Sequence, residues 1–154
     1  MKRMEIKGID TAFVTMHTGL GCFREIDVED LTKHKMDSDL ISVDTDAVQL
    51  VNKAKAEGRR ICAVGTSVQR VLETATLTDG MLKEYDGWTS KFIFPEHNFQ
   101  VANCMIANFY LPYSTMLMLT AAFGGYDNVM NAYRVALDEG YRFGLYGDAM
   151  LIID

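Results

Sequence analysis

Residues 41–75 read ISVDTDAVQLVNKAKAEGRRICAVGTSVQRVLETA, and this stretch decides the fold class. Ile41-Ser42-Val43 is strand-like. Asp44 or Thr45 is placed to cap a helix whose Ala47, Val48, Leu50, Val51 and Ala54 form a stripe at i, i+1, i+3, i+4 and i+7. Gly58 suits the left-handed end of that helix. Ile61-Cys62-Ala63-Val64 is apolar on both faces, the pattern of a central strand covered by helices on each side. Gly65-Thr66-Ser67 turns the chain into a second helix, with Val68, Val71, Leu72 and Ala75 on one stripe. Strand, helix, strand, tight turn, helix is an α/β signature.

On the N-terminal side, Ala12 to Met16 and Cys22 to Ile26 read as strands around a Gly19/Gly21 turn. On the C-terminal side, Lys91 to Phe94, Phe99 to Val101 and Met105 to Phe109 are strand candidates. Ser114 caps a helix from Thr115 to Phe123 that is apolar nearly all round and therefore buried. Gly124-Gly125 stops it, and Asp127 caps a further helix with Val129, Met130, Tyr133, Ala136 and Leu137 toward the core and Gly140 at its end. Ala149 to Ile153 closes the pattern as an apolar strand. No repeat, low-complexity segment or Pro/Gly/Ser linker divides the chain, so residues 1–154 are expected to form a single mixed α/β domain: a short, largely parallel or mixed sheet flanked by helices.

Composition narrows the function classes. The 49% hydrophobic content excludes a disordered chain. No apolar run approaches the ~20 residues of a membrane helix, and no apolar signal core follows Met1, so a soluble, cytoplasmic protein is expected. Fifteen basic against 21 acidic residues leave a formal charge of −6, which argues against sequence-independent nucleic-acid binding by overall charge. Any nucleic-acid partner then needs local cations, such as Lys33, Lys35, Arg59 and Arg60. Cys22, Cys62 and Cys104 are far apart and lack CxxC spacing, which leaves neither a metal nor a disulfide framework and fits small buried hydrophobes.

The Val64-Gly65-Thr66-Ser67 turn puts unpaired backbone N–H groups at a helix N-terminus, suited to an electron-rich ligand or to a plain capped turn. Neither a GxGxxG nor a GxxxxGK[ST] pattern is present. Arg70 and Glu73 lie three apart, away from the apolar stripe. They read as a solvated ion pair, or Arg70 as a fork for a carboxylate or phosphate. His17-Thr18-Gly19-Leu20-Gly21 sets a titratable ring beside two glycines that permit close backbone approach, as would an exposed hairpin turn. His34 and His97 read as members of solvated loops. Tyr146-Gly147-Asp148 offers a general base at a strand end, or the polar edge of a turn.

Seven segments together resemble the C-terminal part of the S-adenosylmethionine:tRNA ribosyltransferase-isomerases of queuosine biosynthesis. They are TAFVTMHTGLGCF (11–23), HKMDSD (34–39), AVGTSVQRVLETA (63–75), GWTSKFIFP (87–95), ANFYLPYSTMLML (107–119), NAYRVAL (131–137) and YRFGLYGDAMLI (141–152). They occur in the family's order. The resemblance implies a portion of the family's larger α/β domain, without the β-barrel domain inserted in that domain.

It also implies an enzyme that moves and isomerises the ribosyl part of S-adenosylmethionine onto the aminomethyl group of a deazaguanine at the wobble position of the tRNA anticodon arm. S-adenosylmethionine is then a consumed substrate, and no cofactor or metal is implied. On this resemblance Gly19, Gly21, Gly65, Thr66, Arg70, Asn108 and Tyr146 are substrate-binding candidates, and Glu73, Asp148 and His17 are acid/base candidates. The family usually has His-Ser-Glu where Asp37-Ser38-Asp39 stands, a His where Tyr110 stands, and Thr where Cys22 stands. The corresponding alternatives are a non-catalytic module that binds S-adenosylmethionine or tRNA, a divergent paralogue with a related substrate, and an α/β domain serving another small ligand.

Overall fold

The structure is a computed structural model and describes residues 1–153. Its elements are α1 (Lys2–Ile6), β1 (Thr15–His17), β2 (Asp39–Val43), α2 (Thr45–Ala56), β3 (Cys62–Val64), α3 (Thr66–Thr74), β4 (Tyr85–Thr89), β5 (Cys104–Asn108), α4 (Thr115–Gly124), α5 (Tyr126–Asp138) and β6 (Ala149–Ile153), with single 3-10 turns at Leu20–Phe23 and Leu31–Lys33. Asp44 caps α2 by accepting from the Ala47 N–H at 2.8 Å, and Ser114 caps α4 through the Leu117 N–H at 3.1 Å.

The mixed α/β class holds, but the strands divide between two sheets. One is antiparallel with order β1-β2-β4, and the other has order β3-β5-β6. Among the described residues only β3 and β5 pair in parallel; β6 runs antiparallel to β5. Thus β2-α2-β3, read from sequence as neighbours of one sheet, passes from one sheet to the other. Strand β3 is an edge strand whose burial runs exposed, buried, exposed, with Val64 63% exposed. Its continuous apolar run therefore does not mark a strand covered on both faces. Cys62 is exposed with it, contrary to the buried setting expected for all three cysteines, whereas Cys22 and Cys104 are buried.

Other boundaries also differ. Lys91 to Phe94 and Phe99 to Val101 form no strand; the strand in that region is β4, centred on Gly87. Cys22 to Ile26 is a 3-10 turn followed by extended chain. Gly125 rather than Asp127 is the N-cap of α5, and Leu137 is 64% exposed while Val129, Tyr133 and Ala136 are buried as expected.

Helix α3 sits between the two sheets and is buried on nearly every side. Val71 and Leu72 pack into the core, and Gln69, Arg70 and Glu73 on the opposite side are also at most 4% exposed. The other packing centre is an aromatic group in which Phe109 and Tyr133 meet edge to face at 5.3 Å and Phe143 closes on both. The Tyr133 hydroxyl accepts the Tyr110 N–H at 2.8 Å.

Burial pushes the Tyr133 phenol up to about 12. The folded chain thus holds this proton more tightly than the unfolded chain, whose phenol titrates near ~10. Stability from this source is complete below pH ~10 and is lost as pH rises toward 12. Thermal melts across that window should show a steeper alkaline fall for the native chain than for Tyr133→Phe, although the variant starts lower by roughly 1–3 kcal/mol because the Tyr110 N–H loses its acceptor.

Candidate functional site

Three segments meet around a cavity of about 250 Å3: the chain from β1 into the first 3-10 turn, the start of α3, and the start of α4. Met16, Met36 and Met116 with Phe23 and Phe92 supply a soft apolar wall. Thr66, Ser67, Tyr110 and Thr115 supply polar groups. Gly65 enters α3 at φ +103°, a conformation that favours glycine, and no side chain caps this helix. The α3 N-terminus thus reaches the cavity without a side-chain cap. The Thr66 hydroxyl donates to the Tyr110 hydroxyl at 3.1 Å, and the buried Thr115 hydroxyl has no hydrogen-bond partner.

The cavity wall is braced from behind by Arg70. Its Nη1 donates to Asp39 Oδ2 at 2.6 Å, its Nε to the Lys91 carbonyl at 2.8 Å, and its Nη2 to the Thr89 carbonyl at 2.9 Å and the Asp37 carbonyl at 3.3 Å. Asp39 Oδ1 in turn accepts the Gly19 N–H at 2.9 Å. One guanidinium therefore ties the Gly19 turn, the start of β2, the end of β4 and α3 together. Gly21 lies so close to Asp37 that an added Cβ would stand 2.6 Å from the Asp37 Cβ. The close approach at Gly21 is thus to a side chain of this same protein. Cys22, on the same wall, has its thiol pushed up by burial and by the Asp39 carboxylate, which suits an inert thiol.

Glu73 does not pair with Arg70. One of its oxygens accepts the Gln100 N–H at 3.0 Å and the other meets His97 Nε2 at 2.9 Å. The solvated-pair expectation for Arg70 and Glu73 fails because α3 is covered on both sides. His97 likewise leaves its expected solvated loop, and His34 packs on Phe92 with ring centroids 4.7 Å apart. His97 and Gln100 border a second, more polar cavity of about 480 Å3, whose cations are already engaged. Lys55 donates to the Gly80 and Gln100 carbonyls, and Arg59 pairs with Asp10 and Glu57.

Of the residues singled out from sequence, Thr66 and Arg70 line the smaller cavity. His17 and Tyr146 are exposed and adjoin its lining residues Thr18 and Leu145, and Gly19, Gly21 and Gly65 lie in the segments that frame it. Asp148 is exposed, and its Oδ2 accepts the Arg142 N–H at 2.7 Å, bracing the turn before β6. Asn108 donates to the Gly147 and Asp148 carbonyls at 3.3 Å. Asp39, Thr115 and the three cavity methionines went unnoticed as site residues. Asp39 carried a usable signal: an acid opening the strand DLISV, whose other residues are uncharged, must find a cation once that strand is buried. Among the described residues no cluster of His, Cys, Asp or Glu could hold a metal ion, and no helix is long and apolar enough to cross a membrane.

Comparison with known proteins gives this geometry its context. The chain is 71% identical over 154 residues to an S-adenosylmethionine:tRNA ribosyltransferase-isomerase of Phocaeicola vulgatus, covering 100% of this chain and 44% of that one. It is 47% identical over 152 residues to the protein of the same name from Clostridioides difficile, covering 99% of this chain and 45% of that one. A crystal structure of the S-adenosylmethionine tRNA ribosyltransferase from Thermotoga maritima superimposes with a TM-score of 0.80 at 38% identity, covering 99% of this chain and 48% of that one. The chain thus spans about half the length of the relatives it matches. Since the family described as "Queuosine biosynthesis protein" matches residues 1–152, the chain belongs to that family.

Proposed function

We propose that these residues are the cavity-bearing, C-terminal portion of an S-adenosylmethionine:tRNA ribosyltransferase-isomerase, one unit of its α/β domain, with the inserted β-barrel outside it. The observation that carries the reading is the meeting, at one cavity, of Thr18, Cys22 and Phe23 on either side of the Gly19–Gly21 turn with the start of α3 and the start of α4, in a chain whose relatives bear that activity by name. A soft wall of methionine and aromatic side chains suits a sulfonium and an adenine ring. About 250 Å3 lies below the ~300–1,000 Å3 usual for ligand pockets, so the cavity takes one end of S-adenosylmethionine and the rest of the family's chain completes the site.

In this reading a base removes the proton on the ribose carbon next to the sulfonium, which acidifies it, and methionine and adenine leave as the ribosyl unit passes to the aminomethyl deazaguanine of the tRNA wobble position. His17, which adjoins the cavity, is a base candidate, with Asp148 in the turn before β6 and Glu73, whose oxygens meet His97 and the Gln100 N–H away from the cavity lining. Thr66, Gly65, Gly19, Gly21, Asn108 and Tyr146 bind or frame the substrate, and Arg70 holds the frame. The reaction needs S-adenosylmethionine as substrate and no further cofactor. A tRNA substrate fits a cytoplasmic protein.

The test is adenine release from S-adenosylmethionine in the presence of precursor tRNA, by this chain alone and joined to the remainder of the Phocaeicola relative. Release is expected only from the joined form, and it should fall at least ~100-fold on alanine substitution of the true base. Full turnover with Arg70→Ala, Glu73→Ala and Asp148→Ala would overturn the assignments. A second reading, a binding module or a divergent paralogue, is favoured by Asp37 and Tyr110, where the resemblance places histidines. It predicts calorimetric binding of S-adenosylmethionine with no adenine release from either form.

With a formal charge of −6, tRNA binding requires local cations. Lys35 and Arg60 are exposed, while Lys33 pairs with Asp30 and Arg59 with Asp10 and Glu57. Replacing Lys35 and Arg60 by Gln should weaken tRNA binding and shallow its dependence on salt, by about one unit of slope for each phosphate no longer neutralised. An unchanged slope would assign recognition to other residues.

A further inference from the structure

One face of the β3-β5-β6 sheet packs on the helices: Ala63 and Met105 are at most 1% exposed, and Ile152 packs against the core. The register fixes what stands on the other face. Cys62, Cys104 and Ile153 form one row across the three strands, and Val64, Ile106 and Leu151 form the next. Neither row contains a charged residue. Val64 is 63% exposed, Leu151 58% and Ile153 51%. Strand β3 pairs only with β5, and β6 only with β5, so both outer edges of the sheet are open among the described residues.

An apolar sheet face between two open edges is the surface of a layer that lacks its neighbour. The outward side of α2 contrasts with it, for it carries Asp46 and Lys53 and is suited to water, and on α5 the exposed Val135 and Leu137 stand among the charges of Arg134 and Asp138. We propose that this face is the seat of the part of the family's polypeptide that has no counterpart in these 154 residues. In the Thermotoga maritima structure, 99% of this chain superimposes on 48% of that one, so more than half of that chain lies beyond a body of this shape. The Phocaeicola relative, of which this chain covers 44%, has the same excess. The seat would be apolar in its middle, with backbone N–H and C=O groups of β3 or β6 accepting a further strand at its margin. A second copy of this chain is a poorer occupant, because each copy carries the same charge of −6. Whatever reaction the cavity serves, the face requires this cover.

The test mixes the 154-residue chain with the remainder of the Phocaeicola relative. A one-to-one complex is expected by sedimentation, with deuterium exchange slowed about tenfold or more at residues 62–64 and 149–153. Val64→Asp and Leu151→Asp are exposed substitutions that should leave the melting of the isolated chain within a few degrees of the parent and abolish the complex. To guard against a remainder that does not fold when separate, a single-chain form in which these 154 residues replace their counterpart in the relative is measured in parallel. There, alkylation of Cys62, located by mass spectrometry, should be at least about tenfold slower than in the isolated chain and recover in Val64→Asp. Equal alkylation of Cys62 in the isolated and single-chain forms would overturn the proposal, as would a complex that survives both aspartates. Protection that grows with the concentration of the isolated chain alone would assign the face to a second copy and overturn it equally.

Discussion

Arg70→Met is expected to lower the stability of the chain by about 3–5 kcal/mol, the range for removing one member of a buried ion pair. The cost comes less from the lost attraction than from what stays behind. Asp39 is 3% exposed and would keep a carboxylate with only the Gly19 N–H as a partner, while the Lys91 and Thr89 carbonyls would lose their donor. The cycle through Asp39→Leu and the double variant separates these terms. The double variant should be more stable than Arg70→Met alone, because no unpaired charge remains. Urea midpoints at constant m-value measure this. Equal stabilities for Arg70→Met and the parent would show that the Arg70 network does not hold the site. On the proposed function, binding of S-adenosylmethionine should fall with Arg70→Lys even where the fold survives, since an ammonium cannot span the Asp39 carboxylate and three carbonyls from one planar fork.

Gly147→Ala is the second large effect. A Cβ there would stand 2.7 Å from the Arg142 carbonyl carbon and 2.9 Å from that of Phe143, and these are backbone atoms that cannot swing aside. Relief requires opening the turn from residue 142 to 148. The opening breaks the bond from Asp148 N–H to the Arg142 carbonyl, that from Arg142 N–H to Asp148 Oδ2, and the hold of Asn108 on Gly147. Overpacking costs of about 1–3 kcal/mol add to these broken bonds. Amide exchange should accelerate through residues 142–153 while α2 and the β1-β2-β4 sheet keep their protection. A crystal structure of the variant with the turn unmoved would refute the expectation.

The sequence made some of this legible and hid the rest for identifiable reasons. Helices α2, α4 and α5 were readable because caps and apolar patterns are local properties: Asp44 and Ser114 perform the capping read from them, and the stripe of α5 held at Val129, Tyr133 and Ala136 although its cap is Gly125. The partition into two sheets was not readable, since a strand's partner is decided by segments tens of residues away; Cys62 of β3 stands beside Cys104 of β5, 42 residues on. Apolar Ile61-Cys62-Ala63-Val64 looked central because composition does not record which face of a strand is covered, and here Ala63 is buried while Val64 is 63% exposed. The cavity was half legible. Gly65, Thr66 and Arg70 stood out by residue type and by resemblance, whereas Asp39 and Thr115 matter only through where α3 and α4 bring them. Glu73 was singled out as an acid, but its bond to His97 depends on the fold of the 95–100 loop and leaves no trace in spacing.

Helix α3 is gripped from opposite sides by directional bonds, Arg70 to one sheet and Glu73 to the loop before β5. A helix seated only on apolar neighbours can slide or roll by a fraction of a turn at little cost, because dispersion hardly distinguishes neighbouring registers. Here a roll of one residue, about 100°, would strand a buried cation and a buried anion at once. Positional accuracy at the first turn of α3, where the cavity lies, is therefore inherited from charges buried one and two turns further along, and Glu73, the farther of the two, stands outside the cavity lining altogether.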